Sequence, residues 1–343
     1  DSSTSRGLGD VYKRQVIDIT EGNIEPIPVA ILDFDAKESD VRKISNDINK
    51  VINSNLERSG LFKVLPKKII IEEQIGFNEK PIFSNWRITE AQGLVHGRIS
   101  LLSEDRIRIE FRLWDILTEK QMIAQQLTTK KSNWRRISHV ISDIIYQRIT
   151  GESGYFDSRI VYISESGTKK NRKKRLAIMD QDGQNPILLT SGKDLVLTPR
   201  FSPNGKELVY LSYRNGQPQV YIYDIQSKQT YVVGTFPGMT FAPRFSPDGT
   251  KIIMSLQEGV GSNLFEMSLS NFDRKRLTNT ADINTAPSYS PDSRNIVFES
   301  DKSGSQQLYV MDANGDNVRR ICLLYTSDAA DDSLRVDLGG RRI

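Results

Sequence analysis

The residue types that most often carry chemistry are sparse in this chain of 343 residues. It has two histidines, of which His96 stands in a strand-like pattern and His139 in a helix-like pattern. Isolated histidines of this kind are more often structural or surface residues than catalysts. We therefore predict no catalytic group and no cofactor.

A second candidate is a calcium loop beginning at Asp180, with Asp182 and Asn185 at further ligand positions. An EF-hand loop needs an acidic residue at its twelfth position, and Ser191 stands there. A plain turn fits the stretch better, and we predict no metal ion.

The charge pattern excludes some classes of partner. The formal net charge of +4 is spread along the chain, whereas nucleic-acid binding needs a clustered basic face. The basic run at residues 169–174 could contact phosphate or lipid, but a like-charged hairpin tip is more often simply solvated. No apolar run approaches the roughly 18 residues of a membrane span, so we expect neither nucleic-acid binding nor direct membrane insertion.

The two ends of the chain look like translated sequencing adapter. DVYKRQ (residues 10–15) can be encoded GAT GTG TAT AAG AGA CAG, and the reverse complement, shifted by a single base, encodes CLLYTS (residues 322–327). We expect residues 1–15 and 322–343 to be adapter-derived artefact. On this interpretation the only cysteine, Cys322, is not native, and the missing signal peptide was lost by truncation.

The elements of residues 16–150 predict a small α/β domain. The apolar run at residues 27–35 predicts a buried strand. Apolar residues from Val41 to Leu56 recur every three or four positions, which predicts a helix that starts at Ser39 or Asp40. Alternation in residues 106–114 predicts a half-buried strand. Further strands are predicted at residues 61–66 and 122–129, a second helix at 81–92, and a closing helix that ends near Gly151.

Residues 151–321 contain a repeat. The segments TPRFSPNGKELVYLS, APRFSPDGTKIIMSL and APSYSPDSRNIVFES align without gaps, and Ser202, Ser246 and Ser290 mark a constant step of 44 residues. Each unit reads as four strands, and S-P-[DN]-G suits a tight turn because proline fixes φ and glycine tolerates positive φ. A period of this length with several short strands per unit predicts a β-propeller.

The linkers that lead into the first strand of each unit vary within this constant frame. They are residues 191–200, 234–244 and 278–288, and variable loops on a rigid scaffold are common binding sites. Two sets of equivalent positions follow these linkers. They are Thr198, Ala242 and Ala286, and Arg200, Arg244 and Ser288. These residues either bind a partner or only pack neighbouring blades.

An α/β domain that opens with PVAILDFD, followed by LTPRFSPNGKELVY, FAPRFSPDGTKI and NTAPSYSPDSRNIVFESD, resembles the TolB family of periplasmic Tol–Pal components. The resemblance covers residues 16–321 and implies a six-bladed propeller, of which four units are recognisable here. The fold class is therefore α+β, with a small N-terminal α/β domain followed by an incomplete β-propeller of about four of the expected six blades.

The resemblance also implies a function. Members of the family are non-enzymatic adaptors that bind the lipoprotein Pal at the channel mouth of the propeller and bind TolA through an N-terminal arm. They support outer-membrane integrity and constriction during division. The predicted protein is a periplasmic monomer. The candidate Pal-binding residues are Thr198, Arg200, Met239, Thr240, Ala242, Arg244 and Thr285. The candidate remnant of the TolA-binding arm is Val16, Ile17, Asp18 and Ile19.

Two other classes of protein compete with this interpretation. A propeller can gate a serine peptidase of the prolyl-oligopeptidase type, but residues 16–321 lack the G-x-S-x-G motif of the nucleophile elbow. A sugar- or metal-binding propeller is the other alternative. The linkers carry no cluster of histidines or carboxylates, which argues against a metal site.

Overall fold

The computed structural model describes residues 25–69, 75–236 and 240–322. The boundary between two compact units falls between Asp157 and Ser158. The predicted fold class is confirmed, because an α/β unit is followed by a series of antiparallel four-stranded sheets. Among the described residues, none of the helices combines the length and apolar composition needed to cross a membrane.

The α/β unit is built on one mixed sheet. Its strand order is β3-β1-β4-β5-β6, with β2 also paired to β4; β1 is parallel to β3 and β4, and β4, β5 and β6 are antiparallel. The elements are β1 Ile27–Ile31, β2 Asp35–Ala36, α1 Ser39–Arg58, β3 Phe62–Val64, α2 Phe83–Ile88, β4 Gly93–Ser103, β5 Arg106–Asp115, β6 Lys120–Lys130 and α3 Trp134–Thr150.

Apolar side chains cover both faces of this sheet. One face packs against the stripe of α1 that includes Ile48 and Ile52 and against Ile141 and Ile145 of α3. Trp86 of α2 belongs to the second core, with Leu94 and Trp114. The alternation predicted for β5 is realised, since four of its apolar residues are fully buried: Ile107, Ile109, Phe111 and Leu113. The periodicity of the sequence thus determines which face each element buries.

Two predicted elements are shorter than expected. The strand predicted for residues 27–35 ends at Ile31, because Asp33 turns away to pair with Lys67 and to accept a hydrogen bond from Asn49. Pairing with β4 resumes only at Asp35. The helix predicted for residues 81–92 covers Phe83–Ile88, and the left-handed Glu90 (φ 61°) follows its end.

The second unit consists of antiparallel sheets in chain order. The first described sheet has three strands and the next three have four each. The strands are β7 Arg159–Ser166, β8 Lys173–Asp180, β9 Ile187–Leu188, β10 Val196–Phe201, β11 Glu207–Ser212, β12 Gln219–Asp224, β13 Thr230–Thr235, β14 Thr240–Phe245, β15 Lys251–Glu258, β16 Gly261–Ser268, β17 Arg274–Arg276, β18 Asn284–Tyr289, β19 Asn295–Ser300, β20 Gln307–Asp312 and β21 Arg319–Cys322.

The turns between the first two strands of the four-stranded sheets, which we call the repeat turns, are closed by their own side chains. The Ser246 hydroxyl donates to Asp248 Oδ1 (2.5 Å) and accepts from the Lys251 amide (3.0 Å), while Gly249 takes φ 73°. The same arrangement recurs at Ser202 and Ser290. Each repeat turn therefore satisfies its polar groups internally.

Candidate functional site

The first strands of the four-stranded sheets, β10, β14 and β18, form the framework of the candidate site. We call them the inner strands, because β10 contacts β14 and β14 contacts β18. They hold six of the predicted binding residues, one of which, Thr240, has a side chain outside the described structure. We call the other five, together with Ser288, the inner-strand residues. The inner-strand residues are Thr198, Arg200, Ala242, Arg244, Thr285 and Ser288.

Each inner strand contains an irregularity at the same position. Pairing with the second strand shifts register after Leu197, after Phe241 and after Thr285. At these shifts one residue takes left-handed backbone angles, namely Thr198 (φ 48°), Ala242 (φ 46°) and Ala286 (φ 51°). Of the ten described non-glycine residues with positive φ, only these three lie within strands.

The left-handed residues are energetically unfavourable. A proline follows each of them, and a residue before proline ordinarily prefers extended angles. Holding a non-glycine residue in this region costs about 1–3 kcal/mol, and such strain clusters at functional sites. Bulges of this kind re-aim side chains. Sequence reasoning missed this feature, although the Thr-Pro or Ala-Pro pair repeated at the 44-residue step was its visible signal.

The two arginines lie two residues beyond the left-handed positions. Arg200 pairs with Val209 across the ladder and Arg244 with Ile253, so the two have equivalent registers. Arg244 Nη1 donates to Ser288 Oγ on the next inner strand (3.2 Å). Burial in the first place, and the positive charge of Arg200 in the second, lower the pKa of Arg244. The arginines are therefore close enough to repel each other.

The linker that leads into β18 is held rigidly. The Asn284 side chain donates to the Ser262 carbonyl (3.0 Å), and the Ser262 hydroxyl donates to the Asn284 carbonyl (2.8 Å). At Gly261 a Cβ atom would lie 2.4 Å from the Ala281 carbonyl oxygen, so the linker packs directly on the backbone there. Thr285, half-buried, directly follows this fixed segment.

The structure brings only some of the predicted residues into equivalent places. Thr198 and Ala242 occupy equivalent left-handed positions on their strands. Arg200 and Arg244 occupy equivalent positions two residues later, where pairing with the second strand resumes. Thr285 precedes the left-handed residue of its strand and so corresponds to Leu197 and Phe241. Several predicted residues lie outside the described part of the chain: Met239, the side chain of Thr240, and the arm residues Val16, Ile17, Asp18 and Ile19. Their roles stay predictions.

The two histidines belong to the interior of the α/β unit. His96 is 2% exposed and accepts a hydrogen bond from Trp114 Nε1 at its Nε2 atom (3.0 Å). Burial, with the positive charge of Arg112, lowers the pKa of His96 to about 4. His139 is equally buried, and its Nδ1 atom lies 2.9 Å from the Asn55 side-chain nitrogen. These are environments of structural histidines.

The stretch considered for calcium forms a turn. The Asp180 amide donates to the Gln184 carbonyl, Asn185 donates to the Asp180 carboxylate (2.7 Å), and the Gln184 amide donates to Asp182 Oδ1 (3.1 Å). The turn that the sequence analysis preferred is therefore present. The basic run is largely exposed at the β7–β8 hairpin, where Arg172 pairs with Glu165 (2.6 Å).

A cleft of about 500 Å³ lies in the α/β unit near the carboxyl end of β1. Its lining includes Asp33, Lys67, Phe77 and His96. The two charged groups in this set pair with each other, and His96 is bonded to Trp114.

These features define a class of protein in which an α/β domain precedes a β-propeller with an irregular set of inner strands. The chain belongs to the TolB family. A family model described as the TolB amino-terminal domain matches residues 15–122, and one described as the TolB beta propeller domain matches residues 146–334. Since these models fall on both units, the alternative of a propeller that gates a serine peptidase is not favoured.

Two relatives show the extent of the similarity. The Tol-Pal system protein TolB of Paramagnetospirillum magneticum (strain ATCC 700264 / AMB-1) is 49% identical over 224 residues, which cover 65% of this chain and 50% of that protein. The chain thus spans about half the length of this curated relative. The crystal structure of TolB from Acinetobacter baumannii matches with a TM-score of 0.77 and 28% identity, covering 87% of this chain and 72% of that one.

Proposed function

We propose that this chain is a non-enzymatic periplasmic adaptor of a Tol–Pal system, which binds Pal through the inner-strand residues of its propeller. The proposal draws on family membership and on the name of the curated relative. In this role the protein supports outer-membrane integrity and constriction during division, and it acts as a monomer.

The observation that carries the proposal is the strained position repeated on all three inner strands. Thr198, Ala242 and Ala286 hold left-handed angles inside strands, where extended angles are the rule. Strain of this kind persists where it organises a site. The inner strands also bear arginines, whereas the repeat turn that follows each inner strand satisfies its polar groups internally.

A binding measurement with the full-length protein and the soluble domain of Pal tests this proposal. Ala242→Arg and Thr285→Arg each add a bulky charge at the inner strands, and we expect each to weaken binding by at least about ten-fold because a misplaced buried charge is costly at an interface. Gln226→Arg serves as the matched control, since Gln226 is exposed in the turn between β12 and β13. Equal affinities for all four proteins would refute the site.

The proposed second partner is TolA, bound by the arm that includes Val16, Ile17, Asp18 and Ile19. Deleting these four residues is expected to abolish TolA binding and to leave the affinity for Pal unchanged within a factor of about two. Retained TolA binding would remove the arm from the proposal without affecting the inner-strand site. Sedimentation of the full-length protein over a range of concentrations tests the monomer.

A further inference from the structure

The inner strands carry positive charge that the described part of the chain does not neutralise. Arg200 has one weak hydrogen bond, from Nη1 to the carbonyl of its neighbour Pro199 (3.4 Å). Arg244 donates only to the neutral hydroxyl of Ser288. Among the described residues neither arginine forms an ion pair, although several other arginines of the propeller do.

Arg244 also has a buried donor without a partner. Its Nε atom is shielded from solvent and makes no hydrogen bond within the described structure. A guanidinium offers five N–H donors in a fixed fork, and leaving a buried donor unsatisfied is unfavourable. The guanidinium of Arg244 is therefore incompletely hydrogen-bonded within the described structure.

The repeat explains why the two arginines face this problem together. Arg244 reaches the residue at its own equivalent position on the next inner strand, which is Ser288. On the preceding pair of inner strands, Arg244 occupies the position relative to Arg200 that Ser288 occupies relative to Arg244. The corresponding neighbour of Arg200 is therefore an arginine, which offers no hydrogen-bond acceptor. On that pair of contacting strands, an arginine thus stands where the next strand offers a serine hydroxyl, and the charge of Arg200 acts on Arg244.

An anion beside the two guanidiniums would relieve their repulsion and accept hydrogen bonds from their terminal N–H groups. The planar fork of arginine matches a carboxylate, which can accept two parallel hydrogen bonds. We propose that Arg200 and Arg244 together bind the carboxylate of an acidic side chain that the protein partner inserts between the inner strands. This inference rests on the proposed function, since a protein partner supplies its anion as aspartate or glutamate.

The left-handed residues contribute to this arrangement. Thr198 and Ala242 each stand two positions before an arginine, and the ladder resumes at the arginine itself. The intervening proline restricts the backbone between them. The bulge therefore fixes the backbone position from which each guanidinium extends.

The test compares the affinity of the full-length protein for soluble Pal in Arg200→Gln, Arg244→Gln and the double variant. We expect each single variant to weaken binding roughly ten-fold and the double variant to lose most of the salt dependence of the affinity. Arg294→Gln is the matched control, because Arg294 is an exposed arginine in a repeat turn. Arg244→Lys keeps the charge without the fork, and we expect it to bind less tightly than the parent protein.

A second measurement separates binding from a structural role. If Arg244 serves the partner, the melting temperature of partner-free Arg244→Gln equals or exceeds that of the parent protein, because an uncompensated charge has been removed. If its bond to Ser288 maintains the fold, the melting temperature falls, and this outcome would overturn the inference.

The acidic residue of the partner is found by pairing each glutamate-to-glutamine or aspartate-to-asparagine change in Pal with Arg244→Gln. The recognised residue shows a non-additive loss in the double-mutant cycle, and strict additivity for every acidic residue would contradict the inference. If the parent protein does not bind Pal, the proposed function falls and this inference with it. If Thr285→Arg blocks binding while the arginine variants match the control, only the inference fails.

Discussion

The inner strands and the repeat turns that follow them use the same repeat in opposite ways. At the repeat turns, a serine hydroxyl and a carboxylate or amide satisfy the backbone, as Ser246 and Asp248 do. On the inner strands, the backbone is strained at Thr198 and its equivalents, and the arginines lack anionic partners in the described structure.

This difference separates residues that stabilise the fold from residues available for binding. A polar group satisfied within the protein gains nothing from a partner, whereas an unsatisfied one can improve its interactions on binding. Substitutions at the repeat turns should therefore lower stability without changing affinity, whereas substitutions of the inner-strand arginines should lower affinity without lowering stability.

The largest expected effect on stability is at a repeat turn. Ser246 is 4% exposed, and Ser246→Ala removes the acceptor of the Lys251 amide and the donor to Asp248. We expect the free energy of unfolding to fall by about 2 kcal/mol, the cost of leaving buried polar groups unpaired, with the affinity for Pal unchanged. Urea denaturation measures the free energy of unfolding, and a loss of affinity in the folded variant would break the distinction between the repeat turns and the inner strands.

The next effect has the opposite sign. Thr198→Gly removes a β-branched side chain from a left-handed position, which relieves a strain of roughly 1–2 kcal/mol. Glycine also raises the conformational entropy of the unfolded chain, which offsets this gain by about 0.5–1 kcal/mol. We expect a net gain of up to about 1 kcal/mol in the free energy of unfolding, measured by urea denaturation. Ala286→Gly is the matched comparison with a smaller side chain, and we expect little change there. A loss of stability in Thr198→Gly would show that Thr198 is not strained.

Sequence periodicity predicted most of the fold because burial imposes it directly. The stripe from Val41 to Leu56 forms one face of α1, and the 44-residue step locates every repeat turn. The prediction failed where side chains override the pattern. Asp33 leaves the strand for Lys67, and the helix of residues 83–88 stops before a left-handed Glu90.

The candidate site was only partly visible in the sequence. The repeat alignment identified Arg200 and Arg244 as equivalent residues, since equivalence depends only on spacing. The bulges were not predicted, because register shifts depend on how two strands pair rather than on either strand alone. The uncompensated charge of the arginines likewise depends on which side chains the fold brings beside them.

The third expected effect comes from the repulsion between Arg200 and Arg244. Raising the ionic strength screens like charges, so it should stabilise the parent protein relative to Arg244→Gln by roughly 0.2–0.5 kcal/mol. Thermal unfolding at low and high ionic strength measures the difference. The parent protein should show no such gain relative to Arg294→Gln. If Arg244→Gln and Arg294→Gln respond equally to ionic strength, the two inner-strand arginines do not interact.

The smallest effect distinguishes two of the repeat turns from each other. The Ser246 hydroxyl, together with the Thr250 amide, lowers the pKa of Asp248, whereas the equivalent group in the preceding sheet is the non-titrating Asn204. A carboxylate with a lowered pKa stabilises the fold above its unfolded pKa of about 3.9 and loses that contribution as the pH falls further.

The loss in free energy of unfolding caused by Ser246→Ala should therefore become smaller as the pH falls below about 4, while the loss caused by Ser202→Ala stays constant. Because Asp248 is exposed, solvent limits the difference. Urea denaturation of the two variants and the parent protein at matched pH values measures it, and other carboxylates cancel because they titrate in all three proteins. A cost that is equally pH-dependent at both turns would show that Asp248 does not contribute through its charge.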